Sequence, residues 1–422
     1  MGTITAGYGE ARITPRDNNH YLAGYIRRSQ PMKGVHDDIY VRTLVIDGPW
    51  NPLAIVQLDL LCIDKQIYMD TRRTIEKILG KHHLIVAATH THSAPSTIYR
   101  DPLHRIGSGC FRKEYYDQVI TMIREALEKA SESQTPVQAW ITSTDIEGVA
   151  TDRNTPGKQI DQKAVILGLD TGRGGILVIN YAVHPSVLGP ENLYVTRDLI
   201  GSLQDTVEAL TGYKTLFLNG AAANISTRFT RRERSFSEAK RLGKHAADQI
   251  ISAVGSGKRI RLSMEDVWVN TEKIELETRS RDEVLGRAVL VETSIKLKLR
   301  ETQDPARRRV LEAQLEAISA IKEFSDMLGR MNRLEVLLTA INIDDVLGIV
   351  TWPGEIHSDA SLALRGTTGY KEIMLVGYAN EYTGYLVPED RGEITYESLI
   401  QLLKPSMYEK AVKIMKNMLG LI

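Results

Sequence analysis

Short apolar runs alternate with longer amphipathic stretches along most of the chain. Val41 to Ile46 and Leu53 to Leu61 are apolar, Lys65 to Leu79 has helical spacing, Leu84 to Ala88 is apolar again, and Lys113 to Ala130 returns to helical spacing. The alternation resumes with strands over Ala164 to Leu169 and Ile176 to Val183 and a helix near Arg197 to Leu210. A strand at Thr215 to Leu218 and a helix from Ser237 to Ala253 follow. This rhythm predicts an α/β fold, a layered mixed β-sheet core with flanking helices. From Arg281 to Leu338 the composition turns charge-rich and helical, with Leu311, Leu315, Ile318 and Ile321 on one face and Pro305 breaking it in two. The segment reads as a helical hairpin inserted into the core, a solvated appendage in the plainest view and a wall of a substrate cleft or a subunit contact in the alternative. Val346 to Thr351 and Ile373 to Gly377 predict two more strands. No Pro/Gly/Ser-rich linker, low-complexity tract or sequence repeat divides residues 1–422, so a single domain is expected.

Charge and cysteine content remove several function classes. Lys+Arg and Asp+Glu are both 53 in 422 residues, leaving no basic surplus to bind nucleic acid or an anionic membrane surface. No apolar run approaches bilayer length, and residues 1–10 lack a basic segment followed by an apolar one, so a cytoplasmic protein without a transmembrane segment is expected. The two cysteines are Cys62, inside an apolar run, and Cys110. Disulfides are therefore not expected, and a zinc site would draw on His, Glu, Asp or Tyr.

Four strand ends present donor side chains. Val86 to Ala88 runs into Thr89-His90-Thr91-His92-Ser93-Ala94-Pro95, where two imidazoles at i, i+2 on an extended strand share a face. Such a pair serves either as two metal ligands or as one ligand with an acid/base partner. The run Ile176 to Val183 ends in His184-Pro185, Val350-Thr351-Trp352-Pro353-Gly354 delivers Glu355, and the strand ending at Gly377 leads to Asn380-Glu381-Tyr382-Thr383-Gly384-Tyr385. Donors at several strand ends predict one convergent site at the carboxyl ends of the strands.

These motifs resemble the neutral (non-lysosomal) ceramidase family, zinc amidases that split ceramide into sphingosine and fatty acid. The similarity runs through Gly7-Tyr8-Gly9-Glu10-Ala11-Arg12-Ile13-Thr14-Pro15, Gly34-Val35-His36, Gln57-Leu58-Asp59, Ala88 to Ser93 and Asp152-Arg153-Asn154. It continues in Tyr181 to Pro185, Ala223-Asn224-Ile225-Ser226, Pro353-Gly354-Glu355, Asn380 to Tyr385 and Tyr396-Glu397. The resemblance implies a catalytic zinc ion held by His90, His184, Glu355 and Tyr385, with a position left for water. It also implies that His92 acts as acid/base, that Arg153 and Tyr396 position or stabilise the carbonyl oxygen, and that Ser226 sits near the scissile group. The function it implies is hydrolysis of a linear N-acyl amide by metal-activated water.

Two departures from the family bear on the substrate. Where the family typically reads Gly-Asp-Val-Ser, this chain has Ala223-Asn224-Ile225-Ser226, without the carboxylate. The C-terminal β-sandwich domain of known ceramidases is not expected here, nor is an aromatic-rich or basic membrane-docking segment, which points to a substrate smaller or more polar than a membrane ceramide. The remaining alternatives are a zinc-dependent esterase or lactonase and a non-catalytic metal- or ligand-binding protein; a homo-oligomer is compatible with each. Other polar residues have ordinary readings. Asp59 either orients a zinc-bound imidazole or caps the next helix; His36 belongs to a satisfied polar loop; and His357 is solvated or lies behind the ligands. His82 and His83 precede a strand, the sequon at Asn224 carries no consequence, and Gly172 to Gly175 forms a hairpin turn.

Overall fold

The computed structural model describes residues 3–421 apart from 102–103, 105–107, 173, 329–332, 368 and 390–393. Its organisation is one succession of elements used three times: three strands, a helix, a fourth strand parallel to the third, and a further helix. In the first unit β1 (Thr5–Arg12), β2 (Tyr40–Asp47) and β3 (Leu53–Leu58) pair antiparallel in turn, α1 (Lys65–Leu79) crosses over, β4 (His83–Ala88) pairs parallel with β3, and α2 (Lys113–Glu132) follows. The second unit repeats this with β5 (Gln138–Asp145), β6 (Lys163–Asp170), β7 (Gly175–Tyr181), α3 (Asp198–Thr211), β8 (Tyr213–Asn219) and α4 (Phe236–Gly255). In the third, β9 (Val267–Glu277), β10 (Arg333–Ile343) and β11 (Leu347–Thr351) are followed by α7 (Ser358–Arg365) and β12 (Glu372–Val376). The short α8 (Tyr396–Ile400) and α9 (Met407–Met418) close it. A repeat that sequence periodicity did not disclose is thus present in the topology, because each unit meets the same packing demand with different side chains.

The central strands of each sheet bury both faces, which is why they read as nearly unbroken apolar runs. Leu44, Ile55 and Ile85 from the first sheet, Val165, Val178 and Leu216 from the second, and Ile341, Ile349 and Met374 from the third share one inner core. The alternate positions, such as Val41, Val56 and Val86, pack outward with Ile67 of α1 and Val119 and Ile123 of α2. Deleting one such fully buried aliphatic side chain costs about 2–5 kcal/mol.

The helical segment is the main correction to the sequence reading. Helices α5 (Arg281–Glu301) and α6 (Pro305–Leu328) form the expected hairpin with Pro305 at the second start, but Arg333 to Leu338 belongs to β10 and not to a helix. Strands β9 and β10 pair antiparallel through all 11 residues, from Val267 opposite Ile343 to Glu277 opposite Arg333, and the helices are inserted at the tip of this ribbon. Its alternation of Glu, Lys and apolar residues leaves one face exposed, a pattern easily taken for a charged helix. Among the described residues no helix is long and apolar enough to cross a membrane. The turn predicted at Gly172 to Gly175 does join antiparallel β6 and β7; its Arg173 lies outside the described residues.

Candidate metal centre and active site

The histidines reach the site by a route other than the one expected. Strand β4 ends at Ala88, so His90 and His92 do not alternate along a strand; His90 instead takes a left-handed backbone, φ 67°, with its N–H donating to the Leu60 carbonyl at 3.0 Å. The imidazoles still converge, with Nε2 of His92 3.2 Å from Nε2 of His90. Strand β7 likewise stops at Tyr181, and His184 stands in the loop beyond it. Buried Asn219, the last residue of β8, fixes the two loops together. Its Nδ2 donates to the carbonyls of Thr89 at 3.1 Å and Val183 at 2.8 Å, and its Oδ1 accepts from Val183 N–H, so it holds the residue before each histidine. Glu355 and Tyr385 enter as neighbours, since the two-residue strands Glu355–Ile356 and Tyr385–Leu386 pair in parallel.

Ring orientation is set from behind by backbone carbonyls. His90 Nδ1 meets the Leu61 carbonyl at 2.7 Å and His184 Nδ1 meets the Ala222 carbonyl at 2.8 Å; a carbonyl only accepts, so each Nδ1 carries the proton and each Nε2 presents a lone pair inward. Burial pushes the imidazole pKa of His90 down to about 4 and that of His184 down to about 3. Both rings are therefore neutral near pH 7, the form that binds metal. Glu355 Oε2 lies 3.1 Å from His184 Nε2 and 3.5 Å from His90 Nε2, and neither Glu355 Oε2 nor His184 Nε2 has a hydrogen-bond partner. Acceptor atoms facing one another in a buried space suit a cation between them, and protonation of either ring is opposed by its lowered pKa. The donor set fits a zinc ion. His90, His92 and His184 alone place candidate ligand nitrogens within 4.8 Å of one another.

All eight side chains singled out in the sequence line one cavity of about 440 Å³: His90, His92, Arg153, His184, Ser226, Glu355, Tyr385 and Tyr396. Their contacts differ. His92 is held by Tyr25, whose ring centroid is 4.9 Å away, and by Arg28, which donates to the His92 carbonyl at 2.8 Å. Burial, followed by the neighbouring His90, drives the His92 pKa well below its ordinary value, and its Nδ1 has no partner. Burial opposes the charge of Arg153, but Glu397 at 2.9 Å, together with Tyr385, Tyr396 and Glu355, outweighs it and the guanidinium stays protonated. Arg153 also lies over the Tyr396 ring and donates to the Tyr385 hydroxyl at 3.4 Å. Ser226 Oγ accepts from Arg228 N–H at 3.2 Å as the cap of a single helical turn, so its hydroxyl is engaged locally.

Three participants were not in the expected set. Tyr382 donates its hydroxyl to Glu355 Oε1 at 2.5 Å, Glu397 neutralises Arg153, and Asn219 aligns the histidine loops. The adjacent motif residues Asn380 to Tyr385 and Tyr396-Glu397 contain the signal for the first two; a lone Asn at a strand end offers none. Other readings are corrected. Asp59 neither orients an imidazole nor caps α1: it accepts from Tyr40 N–H and Gln57, while Asp64 is the cap. His357 caps α7, accepting from Asp359 N–H at 3.2 Å. His36 keeps its reading as a satisfied loop residue, its N–H donating to the Val195 carbonyl at 2.9 Å and its ring stacked on Phe236 at 3.7 Å. The hairpin is no detached appendage, since Arg309, Ala313, Glu316, Ala320 and Ile321 of α6 form one wall of the cavity. Asn224, where the family carries a carboxylate, donates to Asp152 at 2.9 Å, a contact two ionised carboxylates could not make.

Comparison with known proteins places these features. Residues 4–220 match the family model described as neutral/alkaline non-lysosomal ceramidase, N-terminal. The chain is 24% identical over 213 residues to neutral ceramidase B of Dictyostelium discoideum, covering 46% of this chain and 30% of that protein. It is 23% identical over 245 residues to neutral ceramidase 2 of Arabidopsis thaliana, covering 53% and 31%. The matched region thus spans under a third of these relatives. The crystal structure of neutral ceramidase from Pseudomonas aeruginosa superposes with a TM-score of 0.76 at 16% identity, over 99% of this chain and 74% of that one. A structure titled ceramidase complexed with C2 gives 0.75 at 16%, over 99% and 75%. The mixed α/β fold is shared with these enzymes.

Proposed function

Because the chain belongs to the neutral/alkaline non-lysosomal ceramidase family, we propose that it hydrolyses the amide bond of an N-acyl compound with one zinc ion held by His90, His184, Glu355 and Tyr385. The observation that carries this reading is the buried meeting of His184 Nε2, His90 Nε2 and Glu355 Oε2 without a proton to share, at the floor of a cavity that also exposes His92 and Arg153. Zinc bound there supplies Lewis acidity and a water acidified enough to attack near neutral pH.

The chain's own residues supply the rest. Arg153, kept charged by Glu397, and the Tyr396 phenol stabilise the negative charge that develops on the carbonyl oxygen. His92, neutral between turnovers, accepts the proton released by the attacking water and passes it to the departing amine. Ser226 lines the cavity beside the scissile group, its own hydroxyl anchored by Arg228 N–H. Elemental analysis after metal-replete expression, together with a panel of N-acyl amides, esters and lactones, tests the reading. Near-stoichiometric zinc with amide turnover is expected. Absence of zinc, or turnover confined to esters and lactones, sinks it.

A further inference from the structure

The cavity carries more positive charge than its proposed chemistry requires. Most cations on its wall have a carboxylate partner: Arg153 with Glu397 at 2.9 Å, Arg234 with Glu191 at 2.9 Å, Arg309 with Glu316 at 2.8 Å, Arg333 with Glu275 at 3.0 Å and Lys65 with Glu381 at 3.9 Å. Arg228 and Arg231 line the same wall, and among the described residues neither has an ion pair. Each donates to a backbone carbonyl, Arg228 to that of Arg153 at 2.7 Å and Arg231 to that of Ser186 at 3.2 Å. A guanidinium has five N–H donors, so most of both forks are left for something else.

Their place ties them to the metal centre. Ser186 is two residues beyond His184, and Arg228 is two beyond Ser226. Both arginines are half-buried. Burial and the like charge of Arg153 push the Arg228 pKa down to about 9, and burial lowers that of Arg231 as well. Two charges partly withdrawn from water, with Glu397 and Asp198 acting on them only beyond ion-pair distance, are a cost that an anion joining them would relieve.

We infer that Arg228 and Arg231 form a subsite for a carboxylate carried by the substrate, so that the preferred N-acyl compound is a monoanion, such as an N-acyl amino acid, and not a neutral lipid amide. Guanidinium groups match a carboxylate by paired hydrogen bonds, and the paired neighbours Glu397 and Glu316 favour a single negative charge over a dianion. The inference rests on the proposed function for the word substrate, but not for the word carboxylate.

The test compares N-octanoylglycine with N-octanoylglycinamide, and N-butyl suberamic acid with its methyl ester, on the full zinc-loaded chain. Binding is measured by calorimetry and turnover separately. For one of the two pairs the carboxylate is expected to bind about ten- to a hundred-fold more tightly, the range of hydrogen bonds to a charged group, and the pair that responds tells whether the anion lies on the amine or the acyl side. Arg231→Gln should bring that ratio towards one, while Arg231→Lys should retain part of it. Equal or tighter binding of the neutral member in both pairs overturns the inference, with no variant needed. Tighter carboxylate binding with no hydrolysis of any compound supports the subsite and refutes the proposed function.

Discussion

Tyr382→Phe separates a proposed zinc ligand, Glu355, from the residue that aims it. The phenol donates to Glu355 Oε1 at 2.5 Å, in a buried setting where burial and the nearby Glu355 carboxylate push its pKa well above the ordinary value, so it remains a donor. Phenylalanine keeps the ring and deletes only this bond. A hydrogen bond to a charged group contributes about 1.5–3 kcal/mol, which converts to a loss of zinc affinity of roughly ten- to 150-fold. That overlaps the roughly 10–100-fold range for residues that orient a metal ligand. Competition with a chromophoric chelator measures it directly, and thermal unfolding of the metal-free variant checks that packing is intact. A change under about two-fold would refute the argument that Glu355 needs an anchor. Loss of zinc as complete as in Glu355→Ala would make Tyr382 itself a ligand and unseat Tyr385.

Three further outcomes are expected. His92→Ala should keep near-stoichiometric zinc while turnover falls on the order of a hundred-fold or more, whereas Tyr385→Phe should weaken zinc retention; the reverse pattern would make His90 and His92 a chelating pair. At Gly24, φ +97°, an added Cβ would meet His92 Nδ1 at 2.5 Å, so Gly24→Ala should cost about 1–2 kcal/mol in strain and lower kcat while zinc stays bound, and an unchanged kcat would show that His92 need not hold its position. Burial raises the pKa of Asp198 from 3.8 to about 6 in the folded chain. Its ionisation therefore destabilises the fold above pH 6 by about 3 kcal/mol, a penalty that disappears as pH falls from about 6 to about 4. In metal-free protein, the urea-unfolding free energy of wild type minus Asp198→Asn should rise across that window as pH is lowered, and a flat difference would remove Asp198 as the source.

What the sequence disclosed followed from how strongly each residue's surroundings constrain it. Strands such as Leu53–Leu58, buried on both faces, could hardly be read otherwise, and His90, His92, His184, Glu355 and Tyr385, each named from the end of a predicted strand, line the cavity. The reasoning about i, i+2 alternation nevertheless reached His90 and His92 for the wrong reason, since a left-handed residue and not a pleat turns them together. The ribbon strands Val267–Glu277 and Arg333–Ile343 were missed because one solvated face gives them a helix-like charge content. Asn219 escaped because its role is a relation between distant segments, visible only after the sheets meet, whereas Tyr382 and Glu397 stood inside quoted motifs and lacked only their partners Glu355 and Arg153.

The long β9–β10 ribbon has an architectural consequence. Its strands complete 11 residue pairs before α5 and α6 begin, so the sheet's register is settled independently of what the tip carries. The insert contributes Arg309, Ala313, Glu316, Ala320 and Ile321 to the cavity but none of the proposed zinc ligands. One wall of the cavity and the proposed zinc ligands therefore lie in separate stretches of the chain. Changes on the cavity face of α6 reshape what enters without replacing a proposed zinc ligand, whereas changes at Ala317 or Ile318, in the cluster that packs Tyr396, reach the reacting centre.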